Sequence, residues 1–312
     1  MMTKNILLGM NTPKNIIDDA QIYLSILFIG IPVTVMYNMA SGIMRSLGDS
    51  RTPVYFLLLS SVLNIMLDIL MVEPLGIAGP AWATVISQAL SGVLCILHMK
   101  KKYQILKLQK EDLKFDQKCI GKLLYIGVPM GLQYSITAIG SVVLQSAVNV
   151  LGSTFVASSA TALKISVFFC CPFDALGSTA ATYAGQNIGA HKLDRISQGL
   201  KWCVLIGFVY AFITLSILGP QFAKLFLEDP SELLISNVTM YLRFNSMFYT
   251  LLVLVNVVRF MIQGMGYSVL AIIAGVLEMI GRGFAGSALV PNFGYIAACL
   301  ASPMAWLLAA VF

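Results

Sequence analysis

Residues 53–72 read "PVYFLLLSSVLNIMLDILMV". At 1.5 Å per residue, about 20 apolar residues cross the hydrocarbon core of a bilayer. The run therefore reads as a membrane-spanning helix. Inside it Asn64 and Asp68 stand one helical turn apart, and residues at that spacing share a helix face. A carboxylate deep in a span costs roughly 2.5–3.5 kcal/mol on the insertion scale, so it normally faces a partner or a cavity. One stretch thus points to the fold class and to a first candidate site.

The rest of the chain agrees. Of 312 residues, 58% are hydrophobic and 11% charged, against about 25% charged in an average soluble domain. Mean hydropathy is +0.84. Nine segments are long and apolar enough to be spans: 21–47, 53–72, 76–98, 120–151, 156–186, 196–219, 234–264, 267–290 and 294–312. Turn-forming stretches such as "GDSRTP", "EPLG", "LGSTF", "LEDPSE" and "VPNFG" separate them. Pro32, Pro129 and Pro172 fall inside spans and read as kinks that neighbouring helices can satisfy. The expected class is an all-α polytopic membrane protein of about nine transmembrane helices. Six cysteines show no CxxC spacing and read as reduced packing residues. The opening "MMTKNILLGMNTPKN" has no signal-peptide pattern.

The net charge of +6 is distributed asymmetrically. The polar loop at 100–122 carries eight lysines, and "RSLGDSR" and "HKLDRISQGLK" add five more basic residues on the same side if all nine spans cross. By the positive-inside rule that side is cytoplasmic, in the plasma membrane. The run at 100–122 reads as a topological signal in contact with anionic lipid, not as a nucleic-acid site. An intramembrane enzyme would need a motif such as HExxH, GxGD or an Asp-rich diphosphate site, and the sequence has none.

At an offset of 218 residues the chain repeats itself without gaps. Tyr23-Leu24 falls on Tyr241-Leu242, Asn38 on Asn256, Gly48 on Gly266, Gly76 on Gly294 and Ala83 on Ala301. Three helices recur in phase, as in transporters built from internal repeats. Three more helices lie between the copies. The plan reads as four three-helix blocks, of which the first is missing from this sequence and the last ends within its final span. A truncated product is expected, with the missing helices lost or supplied by a separate polypeptide.

The sequence resembles the multidrug and toxic compound extrusion (MATE) family of cation-coupled exporters. The resemblance covers nearly the whole chain and is carried by "MRSLGDSRTP" (44–53), "LNIMLDIL" (63–70), "GIAGPAWATVIS" (76–87), "IGVPMGLQYS" (126–135) and "AGQNIGAHKLDRI" (184–196). It implies a pseudo-symmetric two-lobe helix bundle with twelve helices in the full fold. Residues 1–98 would be the second half of the N-lobe, 99–119 a basic inter-lobe loop and 120–312 the C-lobe. It further implies efflux of cationic amphiphilic small molecules by rocking alternating access, driven by Na+ or protons, with no other cofactor. In the DinF-like branch the cation site lies in the N-lobe, and its motif maps onto Asn64, Asp68 and Thr84. The branch's first-helix Asp has no counterpart here. The NorM-like branch uses C-lobe carboxylates, and those positions are here Thr137 and Leu252, so the N-lobe site is the better match.

Asn64, Asp68 and Thr84 would offer an all-oxygen set suited to a hard cation such as Na+, and a desolvated Asp68 could carry a proton instead. The alternative is that Asp68 merely reaches towards the headgroups. Glu278 and Arg282, also four apart with the acid first, form a structural pair or a coupling pair. Lys164 and Asp174 share a span at a spacing too long to pair within one helix. Tyr37, Asn38, Gln133 and Tyr134 are substrate-cleft candidates, with interhelical hydrogen bonding as the plainer reading. His191 reads as a solvated turn residue. A lipid-linked sugar flippase of the same broad fold is the rival function. It calls for a cationic cavity, and convergence of Lys164, Arg259 and Arg282 would favour it. A third alternative is a non-transporting remnant.

Overall fold

The computed structural model describes residues 17–106, 114–218 and 231–312, with Thr3 and Lys224. Lys4 and Lys14, part of the lysine-rich loop and most of the "LEDPSE" turn lie outside the described residues. The described regular structure is all helical: α1 (Ile17–Ser46), α2 (Arg51–Leu75), α3 (Ala78–Lys102), α4 (Gln117–Val150), α5 (Ser153–Gly189), α6 (Leu193–Ile217), α7 (Glu232–Met247), α8 (Tyr249–Gly264), α9 (Ser268–Phe284), a π-helical turn (Ala285–Leu289), α10 (Val290–Phe293) and α11 (Tyr295–Val311). The chain divides into two compact units, Met1–Phe115 and Asp116–Phe312.

Among the described residues, seven stretches are long and apolar enough to cross a membrane: α1 to α6, and Ser268–Phe293 taken as one. The nine spans expected from hydropathy differ at two places. Residues 234–264 are not one straight helix, because α7 and α8 meet at a bend of 53°. No proline or glycine sits there. Instead Asn245 Nδ2 donates to Tyr241 O at 2.9 Å and to Cys299 O at 3.2 Å, and Ser246 Oγ donates to Arg243 O at 3.0 Å. Side chains that bond the carbonyls of the preceding turn compete with the helix's own ladder and bend it. The last expected span, α11, is apolar but only 17 residues long.

In the first unit α3 is central and packs against both α1 and α2. Its buried face is built from small residues, Gly79, Ala81, Ala83, Ser87, Ser91, Gly92 and Cys95, which let helices approach closely where no hydrophobic effect drives them together. Three contacts step along the α2–α3 seam: Ser91 Oγ to Phe56 O (3.2 Å), Ser60 Oγ to Ser87 O (2.8 Å) and Asn64 Nδ2 to Thr84 Oγ1 (3.5 Å). They climb α2 four residues at a time as they descend α3.

The second unit has an aromatic centre. Phe173, fully buried, lies edge-on to Tyr210 and Tyr249, and Tyr249 packs against Trp306. The α4–α9 seam closes at Gly140, where an added Cβ would come within 2.9 Å of Met279 Cα.

The repeat read from sequence is present in the backbone. Gly48 and Gly266 have φ of 87° and 96°, and Gly76 and Gly294 have φ of 56° and 62°. Their bonding also recurs: Gly48 N to Arg45 O and Asp49 N to Met44 O in one copy, Gly266 N to Gln263 O and Tyr267 N to Ile262 O in the other. Residues at positive φ close a helix by capping its last carbonyls, and glycine takes that conformation without strain.

Candidate functional site

The first candidate site grows out of the α2–α3 seam. Thr84 Oγ1 donates to Pro80 O at 3.0 Å and accepts from Asn64 Nδ2, which turns the Asn64 carbonyl oxygen away from Thr84. Asp68 stands one turn further along the same face of α2. Asp68 Oδ1 is buried without a hydrogen-bond partner. A buried carboxylate oxygen left unpaired is costly. The structure therefore brings Asn64 and Thr84 together and leaves Asp68 beside them with free valence. Among the described residues, no three His, Cys, Asp or Glu side chains group as a metal site. Any cation here would be held by carbonyl, hydroxyl and carboxylate oxygens, the donor set hard cations take.

A second, larger network lies in the other unit. Arg259 Nη1 donates to Glu278 Oε1 at 2.8 Å and Arg259 Nη2 to Asn256 Oδ1 at 2.7 Å; Asn256 Nδ2 donates to Asp174 Oδ1 at 2.8 Å. Arg282 reaches the other Glu278 oxygen at 3.7 Å and donates to Thr137 O and Ser141 Oγ at 3.3 Å. The Gln133 amide meets that of Gln263 at 2.7 Å and turns its oxygen to within 3.1 Å of Arg259 Nε and Nη1. Two acids and two arginines thus balance across α5, α8 and α9. Glu278 and Arg282 do face each other, but Arg259 is the closer partner of Glu278. Sequence spacing cannot reveal that partner, which sits 19 residues away on another helix.

The repeat relates the two networks. At the offset of 218, Ser60 corresponds to Glu278, Asn64 to Arg282 and Thr84 to Ser302. Arg282 and Ser302 line one small cavity of about 110 Å³. Where the first unit presents an amide and a hydroxyl, the second presents a built-in cation and a hydroxyl.

The other candidates scatter. Tyr37 OH donates to Pro53 O at 3.3 Å, tying α1 to the start of α2, while Asn38 and Tyr134 are exposed. Gln133 is 3% exposed and belongs to the arginine network. Thr137 contributes its backbone carbonyl to Arg282, and Leu252 is buried in the core. Lys164 is exposed and stands outside the network. His191 is an exposed turn residue with φ of 55°.

Asp49 lies in the "GDSRTP" turn between α1 and α2. It caps α2 by accepting from Thr52 N (3.1 Å) and Thr52 Oγ1 (2.8 Å), and it receives Lys102 Nζ at 2.6 Å and Tyr103 OH at 3.0 Å from the far end of α3. The Lys102 ammonium, then the Thr52 amide, hold its carboxyl well below the usual carboxylate range. The visible signal was Asp three residues before Thr at a helix start.

An all-α set of apolar spans, built on an internal three-helix repeat and holding carboxylates within its helices, defines the class as a polytopic membrane protein. The MatE family model matches residues 1–70 and 129–285, more than half of the chain. The chain belongs to that family. It is 29% identical over 249 residues to the probable multidrug resistance protein YoeA of Bacillus subtilis, covering 76% of this chain and 54% of that one. It is 27% identical to the FAD transporter of Shewanella oneidensis, covering 73% and 52%. The chain thus spans about half the length of these curated relatives. Among solved structures, a MOP superfamily transporter from Pyrococcus furiosus superposes with a TM-score of 0.90 at 19% identity, over 99% of this chain and 71% of its own. An outward-facing multidrug resistance MATE family transporter gives 0.90 at 21% identity, over 99% and 70%. At these identities the structural likeness is one of fold alone.

Proposed function

We propose that the chain works in cation-coupled efflux of cationic amphiphilic small molecules by alternating access, with Asn64, Asp68 and Thr84 taking the coupling ion, Na+ or a proton. The chain would lie in the plasma membrane with 100–122 on the cytoplasmic side. The observation that carries this reading is the unpartnered, buried Asp68 Oδ1 beside the Asn64–Thr84 contact. An oxygen in that state gains most from an arriving cation, so ion occupancy can shift the balance between two conformations by differential affinity. What supports export over the flippase reading is the state of the arginines. Arg259 and Arg282 are both engaged by Glu278, and Lys164 stands apart, so these three do not converge as free cations.

Efflux of ethidium from cells expressing the protein, under an imposed Na+ or proton gradient, tests this. Asp68→Asn is expected to abolish gradient-driven efflux while membrane insertion and amount are unchanged. Efflux that survives the substitution sinks the Asp68 assignment. A wild-type chain that moves no dye under either gradient favours the non-transporting remnant.

A further inference from the structure

A cavity lies along α7, the helix just before the one that carries Asn256 and Arg259. It has a volume of about 610 Å³ and is lined by one face of α7 together with Lys224. Along that face run Glu232, Ser236, Thr239, Met240, Arg243 and Met247, the spacing of a single helix stripe. Arg243 is exposed, lies eleven residues into α7, and among the described residues its guanidinium has no hydrogen-bond or ion-pair partner. Arg259 and Arg282, on the helices that follow, are by contrast paired. Glu232 does not neutralise it, since eleven residues of helix put their backbones about 16 Å apart. An unpaired cation within a membrane-spanning helix normally faces a cavity or a counter-charge. The cavity also holds an orphaned polar group, because Thr239 is 7% exposed and its Oγ1 has no hydrogen-bond partner.

We propose that this cavity binds a phosphate-bearing amphiphile. Its phosphate would sit on Arg243, with Ser236 and Lys224 as further donors, and its apolar part would lie along Met240, Phe244 and Met247. A guanidinium presents paired donors that match phosphate oxygens, and flexible methionines adapt to an apolar chain of varied shape. The site is opposite in sign to the cationic cargo of the proposed export and uses none of its residues. The ligand is either a membrane phospholipid or a soluble phosphate compound.

Native mass spectrometry of the purified chain, given equal amounts of phosphatidylglycerol and phosphatidylcholine with the same tails, reads the site without any ion gradient. The wild type is expected to favour the anionic lipid by about tenfold, the worth of one charged hydrogen-bonding group. Arg243→Gln should bring that preference near unity, Lys224→Gln should weaken it, and Arg243→Lys should keep most of it. Substituting Lys100 and Lys101 by Gln, in the other unit, should leave it unchanged. Displacement of bound lipid by dodecyl phosphate alone makes the ligand a lipid; displacement by inorganic phosphate as well makes it a soluble phosphate compound. A wild type without preference, or an Arg243→Gln protein that keeps the full preference, overturns the proposal.

Discussion

Glu278 is 4% exposed, accepts a hydrogen bond from Arg259 and lies within ion-pair distance of Arg282, on two different helices. Such a group is worth less for the attraction it adds than for the charge it keeps from being stranded. Removing one partner of a buried ion pair costs about 3–5 kcal/mol, because the remaining charge stays buried and unpaired. Glu278→Ala is therefore expected to lower stability by about that amount in thermal unfolding of the detergent-solubilised protein. Replacing Glu278 and Arg259 together by leucine should cost less than Glu278→Ala alone. If the double variant is the weaker, the network holds the helices by geometry and not by charge balance. At this scale a spacing of four made Glu278 and Arg282 on α9 legible as a pair. The bond between Arg259 and Asn256 on their own helix, at a spacing of three, was not read, and Asp174, Glu278 and Gln133 could not be assigned to Asn256, Arg259 and Gln263 because they lie on other helices. Gln133, read as a cleft residue, is buried for the same reason.

Between residue and bundle, the ends of helices decide how the spans are held. Asp49 joins the start of α2 to the end of α3 through Thr52, Lys102 and Tyr103. Its carboxyl is held below the usual carboxylate range, so the charged form is the one folding favours. The contribution is complete above the unfolded value of about 3.9 and fades as pH falls from there towards the depressed folded value. Asp49→Asn should consequently destabilise the first unit at pH 7, by a modest amount since Lys102 is half-exposed. The gap between wild type and variant should narrow as melts are taken from pH 5 down to pH 3. A gap that is constant over that range would mean that the carboxylate charge is not what ties α2 to α3. Spans were legible from length and apolarity because a bilayer sets both. The 53° bend between α7 and α8 was not, because no proline marks it and the side chains that cause it, Asn245 and Ser246, look like ordinary polar residues.

For the molecule as a whole, one three-helix pattern is used twice, and its punctuation is stricter than its content. Asn64 and Arg282 occupy equivalent positions with different chemistry, as do Ser60 and Glu278, whereas the closing glycines recur with nearly the same backbone angles. Gly76 has φ 56° and ψ −134°, and Gly294 has φ 62° and ψ −142°. That region is open to glycine and strained for a residue bearing Cβ, at a cost of about 1–3 kcal/mol. Nothing lies within 4 Å of a Cβ added at either position, so the cost would come from the backbone alone and not from a clash. Gly76→Ala and Gly294→Ala should therefore weaken their own units by similar amounts. Hydrogen exchange would resolve them, with faster exchange in α2 and α3 for the first and in α9 to α11 for the second. Unequal losses, with one position tolerant, would mean that the shared turn is inherited at one site but no longer required there. The repeat was visible in sequence for this reason: turn glycines are dictated by local backbone geometry, while the polar residues between them diverged to suit two different networks.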